Sequence, residues 1–131
     1  MKKAIRFVVC ILAAIAMLSI ASSAAMAQDA TKAAPSLYKA LLENDRVRVM
    51  EYVSKPGEKA AMHVHPAHLG YILSAGKAKF TTADGKSQEI EAKVGQVLWL
   101  EPTTHTVENI GTTELRVLVI DLKEPAMPPK K

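Results

Sequence analysis

From Leu37 to Leu122 apolar and polar residues alternate in short runs, each bounded by residues that favour turns. The runs are Leu37–Leu42, Arg46–Ser54, Ala60–His65, Leu69–Ser74, Lys77–Thr82, Gln88–Ala92, Val97–Leu100, His105–Asn109 and Glu114–Leu122. Between them stand Asn44-Asp45, Lys55-Pro56-Gly57, Ala75-Gly76, Asp84-Gly85, Gly95, Pro102 and Gly111. A period of two places successive side chains on opposite faces, so each run predicts a strand. Many short strands at this spacing predict an all-β sandwich or barrel rather than βαβ units. No run has the period of an amphipathic helix, and no internal repeat stands out.

Two runs allow a finer reading. A two-residue Asp84-Gly85 turn would set Phe80 against Glu89. One further loop residue sets Phe80 against Ile90 and Lys79 against Glu91, which puts apolar groups on one face and opposite charges on the other. A bulged turn in that register is expected. The last run carries Leu115, Val117 and Val119 on one face and Leu118, Ile120 and Leu122 on the other. A strand apolar on both faces is usually covered on both. The second cover is expected to be the N-terminal strand or another subunit, which predicts a homodimer.

The ends differ in composition. Lys2, Lys3 and Arg6 precede an apolar run from Phe7 to Ala21, and small residues follow up to Ala25-Met26-Ala27. This is the layout of a secretory signal peptide cleaved after an Ala-x-Ala site. The run falls short of the ~20 residues that cross a bilayer as a helix. Residues 1–27 are therefore expected to be removed, leaving a periplasmic or secreted protein with no membrane association. Residues 28–36 predict a flexible lead-in, 37–123 one barrel domain, and 124–131, with three prolines, a disordered tail.

Removing the leader changes the charge and cysteine arguments. The whole chain has 17 basic and 13 acidic residues. Without Lys2, Lys3 and Arg6 it is close to neutral, and its mixed, scattered charges exclude a nucleic-acid footprint. The single cysteine, Cys10, lies in the leader. The mature chain thus has no disulfide, thiolate ligand or cysteine nucleophile.

Candidate chemistry is concentrated in the histidines. Three of the four lie in His63-Val64-His65-Pro66-Ala67-His68, and the fourth is His105. In a strand, His63 and His65 point to one face and can offer adjacent imidazoles to one centre. Imidazole nitrogen suits Zn, Cu, Fe and Ni. A His-x-His pair alone is more often ordinary hydrogen-bonded histidine. Two further histidines in a β-barrel tip the balance to a metal site. Glu101 and Glu108 read as solvated charges, Tyr71 and Trp99 as pocket lining or core, and Met50, Met62 and Tyr52 as packing. No phosphate loop or Ser-His-Asp set is visible.

Gly57, five residues, His63-Val64-His65, and a strand ending Tyr71-Ile72-Leu73-Ser74-Ala75-Gly76 resemble the first motif of the cupin superfamily. Gly95, Pro102, His105 and Asn109 resemble the second. The resemblance runs from about Leu41 to Leu122 and is to small bacterial cupins with one barrel. It implies a double-stranded β-helix, or jelly roll, with His63, His65 and His105 as ligands. Gly57, Gly95 and Asn109 would be turn or strand-end residues. Two departures stand out. Cupins carry a glutamate ligand shortly after His-x-His. Counting back from Gly76 places Leu69 in that slot, whereas counting back from Tyr71 places His68 there. The second count is preferred because it supplies a coordinating side chain. Pro102 and His105 are also closer together than the second motif usually has them.

The implied cofactor is a divalent transition metal: Fe, Mn, Ni, Zn or Cu. The implied partner is a small-molecule ligand or substrate. Dioxygenase, isomerase and lyase chemistry are all compatible with it. So are a non-catalytic module that captures a ligand or metal outside the cytoplasm, and a vestigial site on a barrel that serves assembly. No residue chooses among them, because a fold supports many functions.

Overall fold

The computed structural model describes residues 27–124. The expected signal peptide, apart from Ala27, and the expected tail after Glu124 lie outside the described residues. Ten strands and one helical turn follow in chain order. They are β1 (Gln28–Asp29), α1 (Ala30–Ala33), β2 (Tyr38–Glu43), β3 (Val47–Ser54), β4 (Lys59–His65) and β5 (His68–Ile72), then β6 (Gly76–Thr82), β7 (Ser87–Ala92), β8 (Val97–Leu100), β9 (Thr103–Asn109) and β10 (Leu115–Leu122). All nine expected strands are present, their ends shifted by two residues at most.

The strands form two five-stranded sheets, ordered β1-β4-β9-β6-β7 and β2-β3-β10-β5-β8. Successive strands cross repeatedly from one sheet to the other, the topology of a double-stranded β-helix. The core between the sheets holds Met50, Tyr52, Ala60, Ile72, Ala78, Val107, Leu115 and Val119. Gly57 and Gly95 sit at turns with φ of 83° and 81°. Asn109 ties strand ends together: its amide nitrogen donates to Ser54 O at 2.8 Å and Thr113 O at 2.9 Å, and its oxygen accepts from Gly111 N at 3.0 Å.

The β6–β7 register corrects one expectation. Phe80 pairs with Gln88 and Lys79 with Glu89, not Phe80 with Ile90 and Lys79 with Glu91. The loop does have three residues, but they are Ala83-Asp84-Gly85, closed by Gly85 N–H to Thr82 O at 2.9 Å and Thr82 N–H to Lys86 O at 2.9 Å. Gly85 takes φ of 86°, the left-handed place that ends a type I turn in such a loop. Had Lys86 been the extra residue, a side chain would occupy that left-handed position. Opposite charges still meet on one face, with Lys77 Nζ 2.9 Å from Glu89.

The lead-in also differs from expectation. Residues 28–36 contain β1, which runs parallel to β4, and α1, whose Ala30 is fully buried. Asp29 caps α1 by accepting from Thr31 N at 3.0 Å. Alanine loses no side-chain entropy on burial, so so plain a segment can dock closely. The expected N-terminal strand, β2, lies in the same sheet as β10, and β1 joins the sheet of β4, so neither covers the outer face of β10. The outer face of β10 instead lies in a row of Leu42, Val49, Ile120, Leu69 and Trp99 across five strands. Trp99 and Tyr71, read as pocket or core, stand on this outer side at 54% and 40% exposure, and Met62, read as packing, is exposed on the other sheet.

Candidate metal centre

All four histidines are buried at one end of the space between the sheets. On β4 a register irregularity falls between Ala60 and His63, leaving Ala61 and Met62 both exposed. Strict alternation from buried Ala60 would have turned Met62 and Val64 inward. The extra residue reverses the parity and points His63 and His65 into the barrel. His105, far along the chain, pairs directly with His63 across the β4–β9 ladder. The second sheet contributes His68, which pairs with Asp121 of β10.

One ligand atom each from His63, His65 and His105 lies within 4.8 Å of the other two. Nitrogens that share a metal at about 2.0–2.1 Å stand roughly 3–3.5 Å apart, so the rings would close in on binding. His68 joins a different group, with His65 and Asp121, under the same distance limit. Its ring stacks on that of His65, with centroids 4.5 Å apart and planes at 28°, whereas the His105 ring is 6.4 Å away.

The hydrogen bonds settle which nitrogens are free. His63 Nδ1 donates to Ala61 O at 2.6 Å and His68 Nδ1 to Pro66 O at 2.8 Å, since a carbonyl can only accept. His65 Nδ1 donates to Asp121 Oδ1 at 2.9 Å. In the neutral form of each ring Nε2 then keeps its lone pair, the arrangement that orients imidazole for a metal. His105 Nε2 is buried with no hydrogen-bond partner among the described residues. The hydroxyl of Tyr38 lies 3.2 Å from His63 Nε2 and donates to it. That lone pair serves one partner at a time, so the Tyr38 bond and metal ligation are alternatives.

Burial keeps the His63, His68 and His105 imidazoles neutral. Burial lowers His63 to about 4, with further lowering from His65, although the Ala61 carbonyl opposes it. Burial lowers His105 to about 3, helped by the other three histidines. His68 is lowered as well, mainly by burial. Burial alone would raise Asp121, but hydrogen bonds from His65 and Arg48 outweigh it and hold the carboxylate below its usual range. Burial, with Tyr52 and Asp121 nearby, pushes the Tyr38 phenol well above its ordinary value, so it remains a donor. Three imidazoles held neutral by burial and one buried nitrogen left without a partner fit a divalent transition metal.

Beside the imidazoles is a cavity of about 50 Å³, room for a few water-sized groups. Its walls include Ile72, Phe80, Ile90, Leu98, Val107 and Val117, with His65, His68 and His105 at one end. Among the described residues, no lysine, arginine, aspartate or glutamate lines it.

A family model described as a cupin domain matches residues 50–121, more than half of the chain. The chain belongs to the cupin family. Solved cupins share the fold. A cupin domain from Bordetella pertussis is 24% identical over 67% of this chain and 93% of its own, with a TM-score of 0.62. A cupin superfamily protein from Desulfitobacterium hafniense is 26% identical over 67% and 77%, with a TM-score of 0.53. A predicted oxalate decarboxylase from Thermotoga maritima is 25% identical over 66% and 79%, with a TM-score of 0.52. No curated protein matches the chain.

The sequence pointed to the four histidines of this cupin but not to Tyr38, Arg48 or Asp121. One signal was present for Asp121. It is the only charge in Val117-Leu118-Val119-Ile120-Asp121-Leu122, and it shares the parity of the inward-facing Leu115 and Val119. A lone carboxylate at a core position needs partners, and that alone marks it. Of the other residues weighed, Glu101 is exposed and accepts from Trp99 Nε1 at 2.7 Å, and Glu108 is half-buried on the outer side of β9.

Proposed function

We propose that this cupin is an exported protein that holds a divalent transition metal on His63, His65 and His105, with His68 beside them, and takes a small molecule with one oxygen or sulfur donor on a hydrocarbon frame. The observation that carries this is the His105 Nε2, buried and unpartnered where the His63 and His65 imidazoles converge. A buried polar atom left without a partner costs roughly 1–3 kcal/mol unless something binds it. When bound, the metal supplies Lewis acidity at the imidazole end of the cavity. The chain does the rest: Phe80, Ile90 and Leu98 exclude water and grip the apolar part, and the Nδ1 bonds hold the rings in place.

The cavity lining argues for the ligand class. The Thermotoga neighbour is described as a predicted oxalate decarboxylase. Oxalate has no apolar part, and here a second carboxylate would meet hydrocarbon with no cation to receive it. A small thiol or alcohol presents one donor and sets its few carbon atoms against the walls, which suits a cavity of about 50 Å³. Dioxygenase, isomerase or lyase turnover is the catalytic form of this reading. A second form is capture without turnover, which holds if neither His68 nor Tyr38, the lining groups able to move a proton, serves as general base.

The test is metal analysis of the natively purified protein, followed by oxygen uptake and product analysis with small thiols and alcohols. Stoichiometric metal in the wild type and its loss in His63→Ala and His105→Ala are expected. Full occupancy in the double variant would remove the proposal. Metal without turnover selects the capture form. Export rests on the layout of residues 1–27: the extracytoplasmic protein should begin at Gln28, and recovery of Met1 or Lys2 there overturns it. The homodimer rests on the outer row around Ile120, where Leu42 and Trp99 are exposed and Val49, Ile120 and Leu69 half-buried, since an apolar surface row is a common mark of an interface.

A further inference from the structure

Residues 28–38 reach the imidazole cluster by two routes. The first begins at Asp29 in β1, which lies beside His63 and Val64 in the parallel register with β4. The Asp29 carboxylate ion-pairs with the guanidinium of Arg48, which donates to Asp121 Oδ2 at 2.9 Å. The other oxygen of Asp121 accepts from His65 Nδ1 at 2.9 Å. The second route runs through α1. Ala30 is fully buried, Ala34 O accepts from Tyr38 N at 3.0 Å, and the Tyr38 hydroxyl reaches His63 Nε2.

We infer that the N-terminal segment is a strap over the imidazole cluster, whose Tyr38 hydroxyl must leave His63 Nε2 before a metal takes it, and that Asp29 is a positioning residue acting on His65 through Arg48 and Asp121. This rests on the metal reading above. Arg48 stands between two carboxylates and divides its charge and donors between them. With Asp29 in place, Asp121 keeps enough negative charge to hold His65 Nδ1–H firmly, which fixes the tautomer and makes Nε2 the better ligand. Without the Asp29 charge, Arg48 is drawn wholly to Asp121 and competes with His65 for it. The Asp121 carboxylate is buried, so little water is available to screen this exchange. Cleavage after Ala27 would leave the strap intact, whereas loss of two further residues would remove Asp29.

The decisive variant is Asp29→Asn in the chain beginning at Gln28. Asparagine caps a helix as well as aspartate does, so α1 and its Thr31 bonds are kept while the charge and the acceptor facing Arg48 are lost. Two quantities are read: Co(II) affinity by chelator competition, and the His65 ring-nitrogen signals in ¹⁵N NMR of the metal-free protein. Co(II) binding is expected to weaken about tenfold, the lower end for outer-shell changes. The His65 Nδ1–H form should give way to a mixture of tautomers, with Asp29→Glu restoring both readouts. A loss in Asp29→Asn that adds nothing to a loss in Arg48→Lys would place both residues on one path. Wild-type affinity with an unchanged His65 spectrum overturns the inference. If the wild type binds no cobalt, the metal reading fails, and the nitrogen spectrum alone decides the positioning role.

Discussion

Acidifying the metal-free protein puts the buried imidazoles to a quantitative test. His63 and His105 are held at about 4 and about 3, chiefly by burial, against about 6.5 for an unfolded histidine. Below pH 6.5 the unfolded chain takes up protons that these two folded rings refuse, so stability is highest above about pH 7 and falls with pH. The loss stops growing only below the folded values. Each histidine contributes a slope of up to about 1.4 kcal/mol per pH unit, so going from pH 8 to pH 5 removes about 2 kcal/mol per ring and about 4 for the pair. That is a large share of the ~5–15 kcal/mol typical of a small domain. His68 is shifted the same way and adds to the loss. Asp29 and Asp121 lie below their ordinary values and act only under about pH 4, outside this window. With a urea slope of roughly 1–2 kcal/mol per M for a domain of this size, the midpoint should drop by roughly 2–4 M between pH 8 and pH 5. The assay is urea unfolding at both pH values after chelator treatment, with His105→Gln expected to remove about half the drop. A midpoint that stays constant or rises on acidification would mean that the folded state accepts the protons, and the neutral-imidazole argument would be wrong.

Three further outcomes are expected. Asn109→Ala removes two donated bonds and one accepted bond at a fully buried position, so chemical denaturation should show a loss of about 2–4 kcal/mol with metal stoichiometry retained. Ile120→Lys puts a charge in the middle of the outer apolar row; if the proposed homodimer uses this row, the variant should sediment as a monomer where the wild type sediments as a dimer, and a dimer that persists would place the interface elsewhere. His68→Ala should weaken metal binding less than His63→Ala does, because His68 lies outside the tight trio; equal losses in metal titrations would make it a full ligand.

The strands and their turns were legible in the chain because both are local. Alternation fixes which residues share a face, and Asn, Asp, Gly and Pro mark where the chain must reverse. The histidine cluster was legible for a similar reason: His63 and His65 share a strand face whatever the rest of the chain does. Their inward direction was not, because it depends on one extra residue at Ala61-Met62 that only pairing with β9 reveals. The β6–β7 register went the other way from expectation because matching charges and apolar groups ignored where Gly85 had to sit to take its left-handed conformation. The lead-in looked featureless, since alanine carries no pattern to read, yet its small side chains let it dock against β4 with Ala30 fully buried. Tyr38, Arg48 and Asp121 reach the site from the second sheet, and nothing in their spacing from the histidines announces it. Tertiary structure alone brings a tyrosine hydroxyl to His63 and a carboxylate to His65, because the contacts that set imidazole tautomers cross from one sheet to the other.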